Sequence, residues 1–229
     1  MTGFSPRIHP PRIITRWFPE AFWKINTFEN NVYLTFDDGP IPGVTPWVLE
    51  LLQKEDAGAT FFCVGENVAR HPDIFKEIIC QGHSVGNHTF NHLKGRSCIA
   101  AEYYANIEAA AEYIDSNLFR PPHGLMTYEQ YRYLSEYYKI IMWDIVSRDF
   151  DRNCTPEEVF ENVNRFVSRG SIIIFHDSLK AFPNLKMALP RVIKMLKDKG
   201  YRLAPIPYSG KEDIILQQER YTGNFFRAS

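Results

Sequence analysis

No run in the 229-residue sequence approaches the roughly 18 apolar residues that a membrane span needs. The N-terminus shows no basic region followed by an apolar core, so no export signal is visible and the chain reads as cytoplasmic by sequence. Neither sign of charge is in excess. Lys and Arg number 26 against 27 Asp and Glu, a net charge of −1, and this gives no electrostatic case for nucleic acid. Cysteine is scarce. Cys63, Cys80, Cys98 and Cys154 form no CxxC pair, which argues against a zinc knuckle or a redox motif, and they are too few to staple a fold. Cys63 and Cys80 sit in apolar runs and read as small core residues. Internal repeats, low-complexity tracts and clear linkers are absent. What remains is 45% hydrophobic, 14% aromatic and 23% charged, ordinary for a globular chain able to bury a sizeable core.

The chain divides into an N-terminal arm over 1–30, a main domain over 31–205 and a C-terminal extension over 206–229. In the arm Arg7, Arg12 and Arg16 mix with Ile13, Ile14, Trp17, Phe18, Phe22 and Trp23. A weak membrane-surface contact is one reading. An arm packed on the domain is favoured, because Pro6, Pro10, Pro11 and Pro19 break any long amphipathic helix.

Along the main domain a short apolar run is followed by a helical pattern, again and again. Strands are expected at 32–36, 59–64, 83–87, 118–120, 138–145, 171–175 and 201–203. Helices are expected at 44–55, 72–80, 99–116, 127–136, 155–168 and 184–199. Thr155, Pro156 and Glu158 make a capping box at the start of one. Six or seven such units predict an α/β fold with about seven parallel strands and helices outside. A distorted or incomplete (β/α) barrel fits, and a doubly wound sheet is the alternative.

The polar residues of interest follow predicted strands, on the rim where such folds build sites. Asp37-Asp38 follows the first, His88 and His92 the third, Arg120 the fourth, Asp144 and Asp149 the fifth, and His176-Asp177 the sixth. His88 and His92 are spaced i, i+4. On a helical turn both would face one divalent cation. Asp38 is the candidate third ligand, and two His with one Asp leave positions open for water and substrate. Adjacent carboxylates diverge in a strand, so one ligates while its neighbour is free to act as general base. His176 suits protonation of a leaving group, with Asp149 orienting it. His83 lies on the strand before the metal motif and reads as structural. Trp143 reads as a pocket-lining residue.

This pattern resembles the NodB-homology polysaccharide deacetylases, carbohydrate esterase family 4. The likeness spans about residues 31–203 in five ordered motifs: Thr35-Phe36-Asp37-Asp38-Gly39-Pro40, His88-Thr89-Phe90-Asn91-His92, Arg120-Pro121-Pro122-His123-Gly124, Trp143 through Phe150, and Ile172-Ile173-Ile174-Phe175-His176-Asp177. The resemblance implies a distorted β/α barrel and metal-dependent hydrolysis of N-acetyl groups on amino-sugar glycans, releasing acetate. It implies Asp37 as general base, Asp38, His88 and His92 as metal ligands, and Arg120 as the partner of the base. It also implies His176 as general acid, Asp149 as the aspartate that tunes it, and the His123 backbone N–H as oxyanion donor. The implied cofactor is one divalent ion, zinc first, with cobalt, nickel or iron(II) also suited to the donor set. The implied partner is an N-acetylated glycan, and the family commonly works outside the cytoplasm.

Three positions depart from the family pattern. His123 stands where an aromatic residue, most often tyrosine, is usual; Phe150 stands where tryptophan is common; Val146 lacks a carboxylate that some members carry. These changes bear on substrate choice, not on metal binding. Two competing readings share the motifs. One is the same mechanism on another amide, such as a formyl or cyclic-imide substrate. The other is a carbohydrate-binding module without activity, against which the retained base, ligands and acid argue.

Overall fold

A computed structural model describes residues 8–10 and 12–208. The elements in chain order are α1 (Arg12–Trp17), β1 (Asn31–Asp37), α2 (Thr45–Lys54), β2 (Ala59–Cys63), α3 (Gly65–Arg70), α4 (Pro72–Cys80), β3 (Ser84–Asn87) and α5 (Ala100–Ala111). They continue as β4 (Leu118–Phe119), α6 (Tyr128–Leu134), β5 (Lys139–Ile140), β6 (Ile145–Val146), α7 (Pro156–Asn164), β7 (Ile172–His176), α8 (Phe182–Asp198) and β8 (Arg202–Leu203).

Every residue of β1 and β2 is buried, which is why these strands read as unbroken apolar runs with no alternation. The strands pair in parallel in the order β5-β4-β3-β2-β1-β7-β6, with β8 beside the first two residues of β1. A doubly wound sheet would count upward on both sides of β1. Here the far side counts down from β7 to β6, as in a ring, so the sheet is a curled, incomplete barrel. Leu34, Phe36, Phe61 and Phe175 pack from the strands against Val48 and Leu52 of α2 and Leu189 and Val192 of α8 in the main core. The expected capping box holds α7, and a second one, Thr127 with Gln130, starts α6.

The ring is cut between β5 and β6, inside the apolar run expected to form one strand over 138–145. That expectation is corrected: β5 pairs with β4, while β6 pairs with β7 across the opening. The Asp144 carboxylate accepts the Ile172 N–H and the Ser171 hydroxyl, each at 2.8 Å, and so ties this stretch to the start of β7. Asp144 therefore sits at the opposite end of the sheet from Asp37 and His176, not on the rim where the sequence placed it. Two smaller corrections accompany it. The short α3 was not expected. Cys80, read as a core residue, is exposed because it ends α4, whose sole buried residue is Ile78.

The arm crosses the cut. The Val146 N–H donates to the Ile8 carbonyl at 3.0 Å, Phe22 exchanges backbone bonds with Ile140 and Met142, and the Ile25 N–H reaches Gly170. Phe18 and Ala21 are buried with Tyr103, Phe119 and Tyr131. Arg7 at the head of the arm and residues 209–229 of the C-terminal extension lie outside the described residues. Among the described residues no helix is long and apolar enough to cross a membrane.

Candidate active site

Parallel register brings the site together. Asp37, the last residue of β1, lies opposite His176, the last of β7. Asn87, the last of β3, lies opposite both Cys63 and Phe119. The residues that follow, His88 and Arg120, therefore emerge on the same rim.

Arg120 is wholly buried beneath it. One guanidinium nitrogen donates to Asp37 Oδ1 and to the Thr35 hydroxyl, both at 2.7 Å; the others reach the carbonyls of Ile141 at 3.1 Å and Met142 at 3.0 Å. Its Cζ stands 4.0 Å from the centre of the Phe62 ring. Burial alone would raise the Asp37 carboxyl. The Arg120 charge, with smaller contributions from His88 and His176, outweighs it and holds the group below the usual carboxylate range.

His88 Nδ1 donates to the Arg120 carbonyl at 2.7 Å. A carbonyl only accepts, so Nδ1 carries the proton and Nε2 keeps its lone pair. Burial depresses the His88 pKa to about 4, which keeps the imidazole neutral and fit to ligate. His92 Nε2 lies 3.3 Å from Asp38 Oδ1. Asp38, His88 and His92 each offer one ligand atom, and these atoms lie within 4.8 Å of one another. Two imidazoles and one carboxylate at that separation fit a divalent cation with open positions. The helical turn expected at His88–His92 is not what forms. Thr89 and His92 both have positive φ, 65° and 61°, and the Thr89 N–H is taken by the Asn87 side chain. A tight loop brings the rings to 5.1 Å between centroids instead.

On the facing wall His176 Nδ1 bonds Asp149 Oδ1 at 2.8 Å, and its backbone N–H bonds Asp149 Oδ2 at 2.7 Å. Burial opposes the imidazolium, but Asp149, then Asp38 and Asp37, raise its pKa to about 9. A cleft of about 520 Å³ runs between these walls, lined by Asp37, Asp38, His88, His92, His123 and His176. Trp143, Val146, Phe150 and Ile174 give it an apolar side. The His123 ring stands 4.8 Å from that of His92, and His123 has a φ of 59°. Phe150 meets the His176 ring edge-on at 4.9 Å. Arg120 and Asp149 stand behind the lining, against Asp37 and His176.

His83, read as structural, is buried away from this cleft, packed 5.5 Å from Phe61. Two contributors were missed. Thr35 shares a strand face with Asp37, and that i, i+2 relation was the available signal for a hydroxyl converging on Arg120. Asp177, named at a strand end without a role, accepts the Gly39 N–H at 2.9 Å under the Asp37–Gly39 turn.

Known proteins resemble this chain in sequence and in fold. Residues 24–138 match the family model for polysaccharide deacetylases. A peptidoglycan-N-acetylglucosamine deacetylase of Bacillus cereus is 31% identical over 191 residues, covering 80% of this chain and 90% of that one. A chitooligosaccharide deacetylase of Azorhizobium caulinodans is 30% identical over 203 residues, covering 80% and 96%. The crystal structure of a peptidoglycan N-acetylglucosamine deacetylase in complex with 4-naphthalen-1-yl-N-oxidanyl-benzamide superposes with a TM-score of 0.77 at 30% identity, over 81% of this chain and 90% of that one.

Proposed function

The chain belongs to the polysaccharide deacetylase family, the NodB-homology group of carbohydrate esterase family 4, and from that premise we propose that it hydrolyses N-acetyl groups on an amino-sugar polymer or oligosaccharide. One observation carries the reading: three ligand atoms from Asp38, His88 and His92 within 4.8 Å of one another, flanked by Asp37 on Arg120 and His176 on Asp149.

Asp38, His88 and His92 would hold one divalent cation, for which zinc is the first candidate. When bound, such an ion supplies Lewis acidity, polarising an acyl oxygen and making water more acidic. The chain's own residues do the rest. Asp37, kept ionised by Arg120, takes a proton from the attacking water as the C–O bond forms. Peptide N–H groups can stabilise an oxyanion at the acyl carbon, and the His123 N–H is assigned that task. His176, kept protonated by Asp149, gives its proton to the sugar nitrogen as the C–N bond breaks, so that acetate and a free amine leave. Trp143 and Phe150 present apolar faces to the sugar. The His123 imidazole, in a position where the family usually carries an aromatic ring, changes the polarity next to the bound glycan.

The experiment is acetate release from N-acetylglucosamine oligomers and peptidoglycan fragments by protein stripped with chelator and reloaded with Zn²⁺. Metal-dependent release supports the reading. Glycan binding without release would favour a binding module, and release of formate or opening of a cyclic imide in its place would favour the other amide.

A further inference from the structure

Asp177 is a wholly buried carboxylate that no step above employs. Its bonds surround the metal-ligand turn. The Asp177 N–H donates to the Asp37 carbonyl at 3.0 Å, and its Oδ1 accepts the Gly39 N–H at 2.9 Å. Its Oδ2 accepts the Thr45 hydroxyl at 2.6 Å, while Thr45 Oγ1 accepts the Ile41 N–H at 2.7 Å. One residue thus fixes the turn, holding 37 with its own backbone N–H, and 39 and, through Thr45, 41 with its side chain.

Asp38 lies inside that clamp with a φ of 87°, a region that side-chain-bearing residues rarely occupy. Such a conformation persists only where the surroundings over-determine it. The other side of the turn is also held, since Asn67 Nδ2 donates to the Asp38 carbonyl at 2.7 Å. The approach of Asp177 depends on glycine at 39, where a Cβ would stand 2.0 Å from Asp177 Oδ2.

We propose that Asp177 is a positioning residue for the cation: by clamping the turn on both sides of Asp38, it holds that carboxylate on His92 and in reach of His88. The inference rests on the cation-dependent reading above and adds a residue outside the ligand set. Outer groups that orient metal ligands typically change affinity 10–100-fold when altered. In Asp177→Ala the Gly39 N–H and the Thr45 hydroxyl both lose their acceptor, and the clamp opens toward Ile41.

The test is the Zn²⁺ affinity of the full chain, measured by competition with a chromophoric chelator. Asp177→Ala is expected to bind about 10–100-fold more weakly than wild type. Asp144→Asn is the control for a merely structural role. It alters another carboxylate, a half-buried one, that accepts a hydroxyl and a backbone N–H, but at the opposite end of the sheet. It should lower the melting temperature and leave Zn²⁺ affinity unchanged. Wild-type affinity in folded Asp177→Ala overturns the proposal. Should that variant not fold, Thr45→Val removes the hydroxyl under Oδ2 and is expected to weaken binding several-fold, roughly the low end of the same range; unchanged affinity there overturns it equally. A wild-type chain that takes up no Zn²⁺ would instead defeat the functional reading itself.

Discussion

Asp149→Asn probes the charge that keeps His176 protonated. In the wild-type protein the folded-state pKa of His176 is about 9 against an ordinary 6.5. A group whose pKa is raised by folding contributes stability that is fully present below pH 6.5 and is lost as pH rises through about 9. That difference corresponds to about 3 kcal/mol at its largest. Asparagine removes the largest charge that opposes burial and leaves only the smaller effects of Asp38 and Asp37, so the imidazole pKa falls from its wild-type value. Its NH₂ must also face one of two N–H donors, the His176 backbone or Nδ1, which costs about 1 kcal/mol at any pH. The expected destabilisation is therefore at most about 4 kcal/mol near pH 6, falling to about 1 kcal/mol near pH 10. Guanidinium unfolding at both pH values, in chelator, measures it, and an NMR titration of His176 locates the pKa directly. Activity should follow, with the alkaline limb of acetate release moving down from about pH 9. Equal destabilisation at the two pH values, or a wild-type His176 titrating near 6.5, would refute the reasoning.

Asp37→Asn should lower acetate release at least about 10²-fold while bound zinc, read by elemental analysis, stays at the wild-type level; retained turnover would remove Asp37 as the base. His88→Ala removes a buried ligand, so zinc content and turnover should fall together, and a loaded variant would contradict the ligand set. Arg120→Met strands the Asp37 carboxylate in the interior and should cost about 3–5 kcal/mol by denaturant unfolding at neutral pH. Adding Asp37→Asn to it should restore part of that loss, and a double variant as unstable as the sum of its parts would show that the two residues do not act as a pair.

The strands carrying Asp37 and His176 were legible because burial on both faces leaves an unmistakable apolar run, and parallel pairing then forces their last residues onto one rim. Helices with capping chemistry, such as the one starting at Pro156, were legible for a local reason. The cut in the ring was not. Nothing in Ile140–Ile145 marks a change of neighbour, because the event that divides it is a tertiary bond from Asp144 to the backbone of Ile172. The ligand loop was half legible. The spacing of His88 and His92 pointed to one cation, but the left-handed backbone at Thr89 and His92 replaced the expected helix turn. Asp177 stayed silent because its role lies in the backbone of Asp37–Ile41, which residue types alone do not display.

The backbone bonds of Ile8, Phe22 and Ile25 across the cut have a practical consequence for anyone trimming the protein. A fragment beginning at Asn31 would keep every proposed catalytic group yet strip Ile8 from Val146 and Phe22 from the strand beside it. Two unprotected ladders would then face solvent, and bare edges of that kind recruit other chains. Such a fragment is expected to self-associate, so affinity tags and linkers belong upstream of Ile8.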